Sequence, residues 1–211
     1  MSFSSLKAVC KEKAMTKYLI IFGSPRKAGN TASLLSPFMG ELEAAGADIK
    51  LMDVYNKNIS GCKACLKCQK DISTINCAIK DDMQEVLEAV NDSDVIVLAA
   101  PVYVWSAPAP VKAVIDRLVY SSCKYYGENP RGPALLKGKG LAILTTCGYP
   151  VETGADLYEE EIRRFCKHCG ITYVGMLCER QRNLKEKFMD ETKMEHAKAF
   201  ARELMDKTPN E

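Results

Sequence analysis

The sequence lacks an excess of charge of either sign. Its 211 residues carry 29 Lys and Arg against 27 Asp and Glu, which gives a formal net charge of +2. Proteins that bind nucleic acids or anionic membranes usually do so through accumulated positive charge. We therefore expect neither a nucleic acid nor a membrane as a partner.

Long apolar runs are also missing. No run approaches the ~20 residues of a membrane span, and residues 1–17 lack the apolar centre of a signal peptide. We therefore expect a cytoplasmic protein. In that reducing compartment the ten cysteines are interpreted as thiols, ligands or redox groups before structural disulfides.

Two nucleotide-binding signatures are absent as well. The chain contains neither the G-x4-GK[ST] pattern of a P-loop nor the GxGxxG pattern of a dinucleotide-binding turn. Neither ATP nor a Rossmann-type dinucleotide is therefore the first choice of bound cofactor.

What the chain does contain is a regular alternation of strand and helix patterns. Short apolar runs predict five strands, at residues 18–22, 49–54, 94–100, 140–146 and 171–177. Helical spacing predicts helices at residues 31–45, with Pro37 as a bend, 81–91, 109–120, 154–170 and 185–205. This alternation predicts an α/β fold, a flavodoxin-like doubly wound five-stranded parallel sheet of order 2-1-3-4-5 with helices on both faces.

The predicted organisation is a single domain. We expect an N-terminal extension at residues 1–16 and a flavodoxin-like domain at residues 17–206 that carries a cysteine-rich insert at residues 61–80.

The loop at residues 23–31, GSPRKAGNT, follows the first predicted strand and precedes the first helix. Backbone N–H groups at the helix start, together with Ser24, Arg26, Asn30 and Thr31, offer donors and positive charge to one phosphate. The phosphate of flavin mononucleotide (FMN) is the favoured ligand. In the alternative interpretation the loop is an ordinary turn in which Asn30 caps the helix.

Two further loops follow the third and fourth predicted strands, at residues 101–110 and 145–150. In an open α/β sheet, ligands bind beyond the carboxyl ends of the strands, where all three loops emerge. Tyr103 and Trp105 offer flat surfaces for an isoalloxazine ring. The alternative for Trp105 is an anchor in the core or in an interface.

The cysteine block is the densest motif. Cys62, Cys65 and Cys68 follow a C-x2-C-x2-C pattern, and Cys77 comes after eight further residues. This rhythm suits a cubane cluster. Two alternatives remain open: a zinc knot or cluster-free relic, although zinc motifs usually form two separated pairs, and free thiols or a regulatory disulfide.

Three segments together resemble the NADPH-dependent FMN reductase family, and within it the iron–sulfur flavoproteins. They are GSPRKAGNT at 23–31, PVYVWSAPAPVKAVIDR at 101–117, and the cysteine block ending in IKDDM at 79–83. By this resemblance Ser24, Arg26, Asn30, Thr31 and Ala32 would hold the FMN phosphate. Pro101, Val102, Tyr103, Val104 and Trp105 would line the ring, and Thr146, Cys147 and Gly148 would close its far side.

The resemblance also implies a [4Fe–4S] cluster on Cys62, Cys65, Cys68 and Cys77, although the last gap is longer than is usual in that branch. Cys166 and Cys169 are interpreted as buried helix residues, because their C-x-x-C motif does not open a helix after a strand. Asp81 and Asp82 are expected to cap the next helix.

We therefore expect an FMN-dependent oxidoreductase, without an acid–base side chain, of the NAD(P)H-dependent flavin or quinone reductase type, or an iron–sulfur flavoprotein. Electrons would pass between FMN and a small acceptor or a ferredoxin-like protein. The resemblance implies a homodimer or homotetramer. The alternatives are a non-catalytic electron carrier or redox sensor that uses FMN and the thiols, and a metal-stabilised interaction module.

Overall fold

A computed structural model describes residues 15–128, 130–183 and 185–208. The strands are β1 (Lys17–Phe22), β2 (Asp48–Asp53), β3 (Val95–Pro101), β4 (Gly140–Cys147) and β5 (Thr172–Arg180). The helices are α1 (Asn30–Ala44), α2 (Met83–Asp92), α3 (Ala109–Ser122), α4 (Val151–Gly154), α5 (Asp156–Cys169) and α6 (Glu191–Lys207), with a short 3-10 turn at Lys67–Gln69.

The strands form one parallel sheet of order β2-β1-β3-β4-β5, which confirms the predicted fold class. The three inner strands are apolar along most of their length because both faces of a parallel sheet are covered. Within the described ranges, no helix has the length and apolar character needed to span a bilayer.

The core lies in two layers, one on each face of the sheet. Leu19 and Ile21 of β1 point to the layer covered by α2, α3 and α5, whereas Ile20 and Phe22 point to the layer covered by α1 and α6. Successive strand residues face opposite sides, so one apolar run supplies both layers.

Some predicted boundaries were wrong. The helix predicted at 154–170 is two helices, α4 and α5, which meet at Ala155. The last helix begins at Glu191 rather than near residue 185, because the Asp190 side chain accepts a hydrogen bond from the backbone N–H of Lys193 at 2.8 Å and so caps it. Apolar periodicity does not reveal such caps.

Candidate functional site

The three predicted loops lie together at the carboxyl edge of the sheet. The Thr31 and Thr146 hydroxyls, from the first and third loops, are 3.0 Å apart and both are buried. The backbone N–H of Val102 in the second loop donates to the carbonyl of Thr146 at 2.9 Å. Thr146 therefore joins all three loops, although the sequence gave it no special part.

The first loop leaves the start of α1 available to an anion. Gly29 is the N-cap residue, and no described side chain caps the helix. Asn30 instead donates from Nδ2 to Oε1 of Gln181 at 3.0 Å, so the alternative in which Asn30 caps α1 is wrong. The first N–H groups of a helix lack intrahelical partners and carry partial positive charge, which suits a phosphate.

The side chains of the first loop lie at different depths. Ser24 is buried, and its hydroxyl accepts from the backbone N–H of Arg26 at 3.3 Å. Ala32 is half-buried in the first turn of α1, and Arg26 is exposed. A buried hydroxyl beside an exposed guanidinium forms a polar rim around the start of the helix.

The second loop is held in an unusual backbone conformation. Val104 and Trp105 have φ angles of +50° and +59°, which bulky and β-branched residues rarely adopt. Tyr103 and Ser106 exchange backbone hydrogen bonds at 2.9 and 3.1 Å. The indole Nε1 of Trp105 donates to the carbonyl of Thr153 at 2.9 Å, so α4 fixes the ring.

Trp105 is not a core anchor, since 43% of it is exposed. Its ring stacks with that of Tyr149, with 6.0 Å between centroids and 17° between planes. Tyr103 is also exposed, whereas Pro101 and Val102 are half-buried where β3 ends. The loop thus presents flat aromatic surface at the mouth of the site.

A mainly apolar cavity of about 310 Å³ lies beside these rings, within the size range of small-molecule sites. Its lining comes from the second and third loops and α4: Val102, Val104, Trp105, Cys147, Gly148, Tyr149 and Gly154. The structure thus brings the predicted Cys147 and Gly148 to one cavity with the aromatic loop.

Cys147 has a thiol partner that the sequence analysis missed. Its Sγ lies 3.5 Å from the Sγ of Cys178 on β5. The hydrogen bond from Cys178 lowers the pKa of Cys147, and the positive charge of Arg180 also lowers it. The two cysteines lie on neighbouring strands, a proximity that only the strand order reveals.

The four cysteines of the block line a common cavity. Positive φ angles at Ala64 and Leu66, +48° and +55°, curve the first part of the loop. The Asp71 carboxylate accepts from the backbone N–H of Ser73 at 2.9 Å and from the Thr74 hydroxyl. The long gap before Cys77 is therefore a compact turn that returns this thiol to the others.

The cysteine cavity encloses about 20 Å³. Its exposed wall at residues 62–66 must therefore move outward to admit anything larger than about one water molecule. Across the described residues, no three Cys, His, Asp or Glu side chains converge as ligands of a single metal ion. Four thiols around a shared hollow match the donor set of an iron–sulfur cluster better than a zinc knot.

Arg117 forms the inner wall of this cavity. Its side chain is fully buried and lies 2.7 Å from Oδ2 of Asp81, which is itself 5% exposed. Nη2 donates to Cys77 Sγ at 3.2 Å. Although burial alone raises the pKa of Asp81, hydrogen bonds from Arg117 and Ser60 lower it to about 2.

Asp81 is therefore more than a helix cap. It does accept the backbone N–H of Met83 at 3.2 Å, but it also forms the buried ion pair. Sequence reasoning missed this pair. The available signal was Arg117 itself, a charge within the apolar stripe of α3 that contains Val114 and Leu118.

Two other buried polar side chains anchor the cysteine block to the end of α3. Gln69 Nε2 donates to the carbonyl of Cys123 at 3.0 Å, and Lys124 Nζ donates to the carbonyl of Cys68 at 2.8 Å. Burial lowers the pKa of Lys124. Cys166 and Cys169 are buried on α5 as interpreted, and Cys169 Sγ lies 3.2 Å from Cys123 Sγ.

Comparison with known proteins matches the same segments. The sequence model of the NADPH-dependent FMN reductase family matches residues 16–176. An iron–sulfur flavoprotein of Archaeoglobus fulgidus is 33% identical over 158 residues, which is 74% of this chain and 64% of the relative. An iron–sulfur flavoprotein of Methanosarcina thermophila is 34% identical over 119 residues, 56% of this chain and 61% of the relative.

The chain thus spans less than two thirds of the length of these two relatives. Among solved structures, NAD(P)H:quinone oxidoreductase from Methanothermobacter marburgensis has a TM-score of 0.63 at 20% identity. That match covers 90% of this chain and 94% of the other, and it shows a shared fold. Because the family model matches most of the sheet and its loops, the chain belongs to the NADPH-dependent FMN reductase family.

Proposed function

We propose that this protein binds FMN non-covalently and works as an oxidoreductase that takes electrons from NAD(P)H. The acceptor would be a small quinone-like, nitro or metal-ion compound, or a ferredoxin-like protein. The observation that carries the proposal is the meeting of an uncapped helix start with an aromatic-lined apolar cavity. Bound FMN would supply the redox chemistry, since it can accept electrons in pairs and release them singly.

The protein would bind the phosphate at the start of α1. Backbone N–H groups of its first turn, with the hydroxyls of Ser24 and Thr31, would donate to phosphate oxygens, and Arg26 would add a charge-assisted contact. Asn30 would help indirectly, because its bond to Gln181 joins the helix start to the segment after β5.

The second and third loops would bind the ring. Trp105 and Tyr149 would pack beside it, and Val102, Cys147 and Gly148 would exclude water from the cavity. These residues place and shield the reacting group; none has to exchange a proton with it.

Flavin titration tests the binding site, followed by the quenching of flavin fluorescence. The wild type should bind FMN more tightly than riboflavin, which lacks the phosphate. Arg26→Ala should reduce that preference about tenfold, as expected for loss of a charged hydrogen bond. Arg164→Ala, which removes an exposed charge on α5, is the matched control and should leave it unchanged.

Protein without flavin absorbance after reconstitution would contradict the proposal. Steady-state NAD(P)H oxidation with a quinone then separates an enzyme from an electron carrier, because a carrier would show little turnover.

We further propose that Cys62, Cys65, Cys68 and Cys77 bind a [4Fe–4S] cluster. Support comes from the common cavity of the four thiols and from the two relatives named iron–sulfur flavoproteins. Anaerobically purified protein should contain about four iron and four sulfide per chain. Cys77→Ser should lose most of the iron, whereas Cys178→Ser, outside the cavity, should retain it.

A homodimer is the proposed assembly. Val104, Trp105, Tyr149 and Leu157 are exposed by 86, 43, 63 and 60% and belong to the second and third loops and α5. Clustered exposed apolar side chains favour association. Light scattering should give twice the monomer mass, and Leu157→Glu should lower it; a monomeric wild type would contradict the proposal.

A further inference from the structure

Arg117 is buried against the cysteine cavity, although ligation by four thiols requires no arginine. Its side chain has no exposed area. A guanidinium keeps its charge in proteins and carries five N–H donors in a rigid planar fork. Each buried donor needs an acceptor, so the use of every nitrogen is informative.

Two of the three nitrogens are accounted for. Nη1 donates to Asp81 Oδ1 and Oδ2 at 2.8 and 2.7 Å and to the Ser60 carbonyl at 3.2 Å. Nη2 donates to Cys77 Sγ at 3.2 Å and to the Ile79 carbonyl at 3.3 Å. Nε is buried and has no hydrogen-bond partner among the described residues.

The planar fork indicates where the unpaired donor points. Nε–H and one N–H of Nη2 lie side by side on one edge of a guanidinium. Nη2 contacts Cys77, and Arg117 lines the cavity together with the four cysteines. A purely structural ion pair with Asp81 uses Nη1 alone and leaves the Nε–Nη2 edge without a purpose.

We propose that Arg117 is a positioning residue for the iron–sulfur group, donating one hydrogen bond to Cys77 Sγ and one from Nε to a second sulfur in the cavity. This inference rests on the cluster part of the proposed function. Hydrogen bonds to the sulfurs and nearby positive charge favour the more reduced, more negative state of a cluster. Arg117 therefore raises the reduction potential without being a ligand.

Arg117→Lys tests this role because it retains the charge beside Asp81 but removes the planar edge. A redox titration followed by electron paramagnetic resonance should show about a tenfold smaller equilibrium constant for one-electron reduction, a midpoint lower by about 59 mV. Arg163→Lys, at an exposed pair with Glu159 on α5, is the matched control and should leave the midpoint unchanged. Asp81→Asn removes a negative charge, so it should not lower the midpoint.

A second measurement uses the wild-type protein and does not depend on a variant folding. Pulsed electron paramagnetic resonance of the reduced protein, grown with ¹⁵N-arginine, should detect coupling of an arginine nitrogen to the cluster.

The outcomes separate the two proposals. Wild-type protein without iron and sulfide would overturn the cluster and this inference together. A wild type that holds the cluster but shows no arginine coupling, or an Arg117→Lys midpoint equal to the wild type, would overturn this inference alone.

Discussion

At the scale of single residues, buried charge makes the strongest demands. Arg117 and Asp81 are almost fully removed from water, where an unpaired charge is expensive. Their attraction stabilises the fold only while both are ionised. The pair also fixes the end of the cysteine block, because Arg117 contacts Cys77 and the carbonyls of Ser60 and Ile79.

The first prediction concerns Asp81 and pH. Its folded-state pKa of about 2 lies below the value of about 3.9 in an unfolded chain. The stabilisation is therefore complete above about pH 4 and is lost as pH falls through about 2. Asp81→Asn should reduce the free energy of unfolding by about 3 kcal/mol at pH 7, and its difference from wild type should shrink between pH 4 and 2.

Denaturant unfolding across this pH range measures the effect. Asp116→Asn, at a partly exposed pair with Lys112, serves as control and should cost less than about 1 kcal/mol. A difference between wild type and Asp81→Asn that stays constant from pH 7 to 2 would contradict the prediction.

The second prediction concerns the strained backbone of Val104, which has a positive φ and is 86% exposed. Val104→Gly should raise the free energy of unfolding by about 1 kcal/mol, because glycine adopts this conformation without strain. The same change should weaken FMN binding by loosening the loop. Val104→Asn, which tolerates a positive φ but restricts the backbone more, should stabilise with a smaller loss of affinity. Equal or lower stability of both variants would rule out strain.

At the scale of elements, the site depends on how closely β1 approaches α3. Gly23 follows β1, and a Cβ placed there would lie 2.1 Å from Cγ2 of the fully buried Val111. A β-branched side chain in a packed core cannot yield that distance. The glycine thus lets the phosphate loop and the helix after the second loop pack together.

The third prediction compares two glycine substitutions. Gly23→Ala should lower the free energy of unfolding by about 1–3 kcal/mol through overpacking and should weaken FMN binding. Gly40→Ala, at an exposed position of α1 with nothing within 4 Å of the new methyl group, should instead stabilise by about 0.5–1 kcal/mol. Urea unfolding of both variants gives the comparison; similar effects at both sites would show that the close approach does not matter.

At the scale of the whole molecule, the described fold needs nothing before residue 16. Asp48 N–H donates to the carbonyl of Thr16 at 3.1 Å, and Lys17 N–H donates to Asp94 at 2.8 Å. The family match also starts at residue 16. The predicted extension at residues 1–16 lies largely outside the described residues, as does Cys10.

The fourth prediction is that a chain lacking residues 1–14 keeps the thermal unfolding midpoint and the FMN affinity of the full chain. A chain lacking residues 1–20 should fail to fold, because it loses half of a central strand whose residues lie in both core layers. Calorimetry and flavin titration measure both. A lower midpoint for the shorter deletion would assign residues 1–14 a structural part.

The amino-acid sequence by itself determined the fold class, the strand order and the three loops of the site. These features follow from local patterns: apolar runs such as residues 18–22 form strands, helical spacing forms the crossovers, and parallel strands place their following loops at one edge. The cysteine spacing likewise pointed to a shared site before any contact was known.

Only the tertiary structure decided which distant side chains meet. Arg117 and Asp81 are 36 residues apart, Cys147 and Cys178 are 31 apart, and Asn30 and Gln181 are 151 apart. Local periodicity carries no information on such pairs, because they depend on which strands and helices become neighbours and how deeply each side chain is buried. For this reason the sequence located the cysteine block, whereas the packing of α3 against it identified the arginine proposed to govern it.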